Sequence, residues 1–147
     1  MKTQLLDEQH GHRTFVVVFD KGDEAKAGLT AFAQDNRVSA AQLTAVGGFS
    51  RAVLGYFDRQ QKEYQRIPVT EQVEVLSLIG DVALKPDGAP EVHAHVVVGR
   101  SDGTTLGGHL LEGHVWPTLE VVVTDAPRHL RKTLDADTGL VLINPQA

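Results

Sequence analysis

The sequence predicts an α+β domain: a mostly antiparallel β-sheet with one principal α-helix. Three observations carry this. Dense β-branched and aromatic runs recur along the chain, as at Arg13–Phe19 and Thr118–Thr124, and such runs favour buried strands. Glycine-, aspartate- and proline-rich turns separate them at short intervals, as at Lys85–Pro90, which suits sequential antiparallel pairing rather than long crossovers. Only one stretch places apolar residues at helical spacing, with Ala25, Leu29, Phe32 and Ala33 on one face.

At 147 residues the chain fits one compact domain with a real core, so residues 1–147 are expected to form a single unit with its core at about 13–143. An apolar content of 41% and a charged content of 22% are those of a soluble globular protein. The net charge of −5 supplies no global positive field for a polyanion. With no cysteine, disulfides, thiolate metal sites and cysteine nucleophiles are excluded. No signal core or membrane-length apolar run is present, and a cytoplasmic protein is expected.

Taken in order, Arg13–Phe19 is a strand ended by Asp20-Lys-Gly-Asp23, which offers capping side chains to a helix over Glu24–Asn36. Ser39–Val46 reads as a strand closed by Gly47-Gly48, with Phe49–Phe57 as its hairpin partner. Gln60–Pro68 is a short edge strand or loop. Glu71–Leu84 alternates as a strand, and Gly80 within it marks a bulge or a close backbone approach. After the Lys85–Pro90 turn comes the strand Glu91–Gly99. His109–His114 and Thr118–Thr124 follow on either side of Trp116-Pro117. Arg128–Leu134 is a further strand or irregular segment, and Leu140–Ile143 is expected to close the sheet.

The chemistry concentrates at His93, His95 and His109. In a strand His93 and His95 point to one face. A two-residue turn at Asp102-Gly103 would pair His109 with Val96, on the wrong face. A three-residue loop over Ser101–Gly103, with Gly103 left-handed, pairs His95 with His109 and sets His93 diagonally beside them. Three imidazoles without a fourth protein ligand make an open metal site, and zinc suits them best among divalent ions. The alternative is that strand histidines are polar surface or satisfied core groups.

Glu120 is a carboxylate in an apolar strand. It is a candidate general base or histidine-orienting group beside the metal, or else the partner of an arginine such as Arg13 or Arg51. His114 lies beyond Gly113 with its face undetermined, and His10 and His12 sit in a polar segment.

Gly47-Gly-Phe-Ser-Arg-Ala-Val-Leu-Gly-Tyr56, Glu74-Val-Leu-Ser-Leu-Ile-Gly80, His93-Ala-His95, Gly107-Gly-His-Leu110 and Thr118-Leu-Glu120 occur in that order. As a set they resemble the plants and prokaryotes conserved (PPC) domain, over about residues 13–143. The resemblance implies a compact α+β fold similar to that of acetolactate decarboxylases, which hold zinc with three histidines. It also implies a homotrimer, with His93, His95 and His109 gathered into a metal site. By family analogy it implies a DNA-binding or regulatory role. This sequence, however, lacks the Arg-Gly-Arg-Pro core of an AT-hook and has no basic cluster. The alternative is a metal-dependent lyase or hydrolase acting on a small carbonyl compound, with Glu120 shuttling a proton.

Overall fold

The computed structural model describes residues 1–147. Strands β1 (Lys2–Gln9) and β2 (His12–Phe19) lead into helix α1 (Ala25–Asp35). Then follow β3 (Ala40–Asp58), β4 (Glu63–Val69), β5 (Val73–Leu84), β6 (Pro90–Gly99), β7 (Thr105–Asp125), β8 (Lys132–Leu134) and β9 (Val141–Ile143). The main sheet runs β1-β2-β7-β6-β5-β3-β4, and β7 also pairs with β3. That second pairing makes β3, β5, β6 and β7 a closed ring of antiparallel strands, a compact α+β domain of the predicted class. No helix is long and apolar enough to cross a membrane.

The core follows from alternation. Val92, Ala94, Val96 and Val98 of β6, and Leu119, Val121 and Val123 of β7, are all buried, while the residues between them face outward. Helix α1 covers the apolar side through Leu29, Phe32 and Ala33, and Phe32 meets Phe15 edge-on at 5.3 Å between ring centroids. Its N-cap is Glu24, whose carboxylate accepts from the Lys26 and Ala27 N–H groups, rather than an aspartate of the preceding turn. Glu24 Oε1 also accepts from the Gly113 N–H at 2.8 Å, which fixes the start of the helix to β7.

Three expectations need correction. Residues 39–57 do not form a hairpin. Gly47 has φ +149° and sits at a register shift, so β3 bends and runs on as one strand of 19 residues. A Cβ on Gly47 would stand 2.3 Å from the Thr118 carbonyl oxygen, so the glycine marks a close strand approach rather than a turn. The N-terminal segment, polar except for Leu5 and Leu6, is nevertheless the edge strand β1, held on β2 by backbone pairing with every side chain exposed. Residues 140–143 do not close the main sheet; β9 pairs only with β8, in a separate two-stranded sheet.

Candidate metal centre

The β6–β7 turn sets the geometry. Arg100 and Thr104 close it (Arg100 N–H to Thr104 O, 2.9 Å), and Gly103 adopts φ +83°. The register is then Gly99↔Thr105 through His95↔His109. On the β5 side, Asp81 pairs with His93 and Ile79 with His95. In-register residues of neighbouring strands share a face, so both histidines of β6, His109 and Asp81 all project outward.

The candidate ligand nitrogens of His93, His95 and His109 lie within 4.8 Å of one another. Their ring centroids are 5.1 to 5.4 Å apart. A tetrahedral zinc ion spaces its nitrogens by about 3.4 Å, which falls inside that limit. Two further features fit an ion. His109 Nδ1 is buried with no hydrogen-bond partner, an orphan that a metal would satisfy. Burial pushes His109 down to about 4, with Lys26 adding to the shift. Burial and His93 also lower His95. Both rings are therefore neutral near pH 7, the form that ligates metal.

Around the triad is a second set of groups. His93 Nδ1 lies 3.2 Å from Asp81 Oδ2. With the proton on Nδ1 the ring donates to that carboxylate and leaves Nε2 free, the arrangement that orients ligating histidines. Lys132, buried at 4% exposure, donates to Glu91 Oε2 at 2.9 Å and stands 3.9 Å from Asp81 Oδ1. The Tyr64 ring lies 4.7 Å from that of His109. Gly55, which pairs with His109, makes room for it: a Cβ there would meet Tyr64 Cδ1 at 2.9 Å. These groups, with Lys26, Leu111 and residues 139–143, line a cleft of about 790 Å³ over the histidines.

Sequence reasoning missed Asp81, Glu91, Tyr64 and Lys132. Asp81 alone left a signal, an acid in an apolar strand, and only the β5–β6 register shows that it meets His93.

The other candidates lie elsewhere. Glu120 is exposed and pairs with Val18 and Val46. It borders a groove with Val46, Leu76, Ile79 and Val122, and is not among the residues lining the histidine cleft. Neither suggested arginine holds it, since Arg13 Nε donates to Asp125 Oδ2 at 2.9 Å and Arg51 pairs in register with His114. His114 is half-buried beside Glu112, and His10 and His12 flank the β1–β2 turn.

Residues 6–127 match the Plants and Prokaryotes Conserved (PCC) domain, most of the chain. The chain belongs to this family. Solved structures of similar sequence carry the same fold. A metal-containing protein of Archaeoglobus fulgidus is 34% identical, with 89% of this chain and 92% of that one covered and a TM-score of 0.82. A plant- and prokaryote-conserved (PPC) protein of Pyrococcus horikoshii is 31% identical over 97% and 94% of the two chains, TM-score 0.84. A Ralstonia eutropha protein whose name proposes DNA binding is 27% identical over 88% and 90%, TM-score 0.82. Among curated sequences, the bifunctional protein GlmU of a Synechococcus strain is 37% identical over 107 residues. This PPC-domain chain spans 16% of that protein's length.

Proposed function

We propose that this chain is a homotrimeric PPC-domain protein that holds one divalent metal ion, zinc by preference, on His93, His95 and His109. The observation that carries the reading is the convergence of three outward imidazoles on one point, with a buried and unpartnered Nδ1 on His109. The metal-containing Archaeoglobus relative supports it. An ion held by three neutral imidazoles keeps an open coordination position and supplies a Lewis acid there. Asp81 orients His93, while Lys132 balances Asp81 and Glu91.

The trimer is supported by the outward sheet face next to the site. Val46, Leu76, Ile79 and Val122 are between 44% and 58% exposed there. Ile79 pairs directly with His95, so this apolar surface is continuous with the metal cleft. Contiguous apolar exposure of this kind marks an interaction surface.

A DNA-binding or regulatory role comes to this chain by analogy with relatives such as the Ralstonia protein. With 14 basic against 19 acidic residues, it has little electrostatic pull on a phosphate backbone. An enzyme acting on a small carbonyl compound is the weaker alternative, because Glu120 is absent from the cleft lining.

Equilibrium dialysis against zinc tests the metal reading. One ion retained per chain, with none retained by His109→Ala, is the expected result; equal retention by both proteins would overturn it.

A further inference from the structure

The cleft over the histidines contains a cation without a partner. Of its two lysines, Lys132 is committed to Glu91 and Asp81. Lys26, half-buried in the first turn of α1, makes no side-chain hydrogen bond and no ion pair, although it lines the same cleft. The helix that carries it is fixed by Glu24 to β7 and packs against β6 and β7. The charges in the cleft are two lysines against two carboxylates. A divalent ion on the histidines would leave it with a net double positive charge, and a half-buried site of that sign selects anions.

The other walls restrict what that anion can be. Tyr64 stands over His109, and burial with the nearby Glu91 raises its phenol, which remains a protonated donor. Leu111 and Leu140–Ile143 form an apolar wall. The 140–143 stretch lies beyond the family match, which stops at residue 127.

We propose that the cleft is a receptor for a small organic anion. Its carboxylate pairs with Lys26, a second oxygen faces the metal position, and its carbon skeleton rests on Leu111 and Leu140–Ile143. The inference rests on the metal reading above and adds the ligand class. Inorganic phosphate would share the charge but not the use of the apolar wall.

The test uses the full chain loaded with cobalt(II), whose visible absorption reports a ligand arriving at the metal. Pyruvate, its neutral analogue hydroxyacetone and inorganic phosphate are each titrated. Pyruvate is expected to give a saturable change and to bind at least tenfold more tightly than hydroxyacetone. Lys26→Met should weaken pyruvate about tenfold, the loss of one charged hydrogen bond, without weakening cobalt binding or changing the hydroxyacetone response. Lys26→Arg should retain most of the pyruvate affinity. Equal binding of pyruvate by wild type and Lys26→Met, or equal binding of pyruvate and hydroxyacetone, would overturn the proposal while leaving the metal site intact. Phosphate binding tighter than pyruvate would overturn the organic part. Failure of the wild-type protein to bind cobalt would remove the metal reading and this inference with it.

Discussion

His95 lies directly opposite His109 across the antiparallel β6–β7 pair, and the loop through Gly103 sets that register. A strand slip of one residue would move His109 to the buried side, because alternate side chains face opposite ways. The candidate metal centre is thus a consequence of turn chemistry: the loop places the three histidines, and the strands hold them.

Gly103→Ala isolates the turn from the site. The residue has φ +83° and nothing lies within 4 Å of where a Cβ would stand. The cost is therefore conformational only, about 1 kcal/mol. Urea denaturation should show that loss, while zinc stoichiometry stays as in the wild type.

Gly80→Ala should behave differently. A Cβ there would stand 2.3 Å from the His93 carbonyl oxygen and 3.0 Å from Ala94 Cα, and backbone cannot yield as a flexible side chain can. Strand β5 must move away from β6, at a cost of about 1–3 kcal/mol. Zinc affinity should fall along with stability, because Asp81 and His93 separate.

Asp81→Asn removes the carboxylate beside His93 Nδ1 but keeps its size. Loss of such an orienting partner typically weakens metal binding 10–100-fold. Competition with a chromophoric chelator measures this, and circular dichroism should remain unchanged. Unaltered affinity would assign Asp81 to Lys132 alone.

The metal-free protein should lose stability in mild acid. His109 titrates at about 4 when folded, against an ordinary value of 6.5. Between these values the unfolded chain binds more protons than the folded one, so stability rises with pH and is lost as pH falls from 6.5 toward 4. His95 is lowered in the same direction. Urea midpoints across this range should fall with pH, and less steeply in His109→Gln.

Leu76→Asp and Ile79→Asp place charge on the exposed apolar face without disturbing the core. Sedimentation should show three 15.9 kDa chains associated in the wild type and single chains in the double variant.

Much of this was legible in the sequence because it depends on local rules. Turn type and strand alternation sufficed to pair His95 with His109, and one run of helical periodicity located α1. Long-range effects were not legible. Gly47 reads as a turn until Thr118 is known to lie against it. Glu120 reads as a site residue because a buried acid among valines needs a partner, but its side of the strand is open. Asp81, Tyr64 and Lys132 reach the site through pairings and a C-terminal segment that no local pattern encodes.

Zinc bound per chain, measured by elemental analysis after dialysis for wild type and His95→Ala, tests the central claim most directly. One ion in the wild type and none in the variant is the predicted result. The same zinc content in both would contradict it.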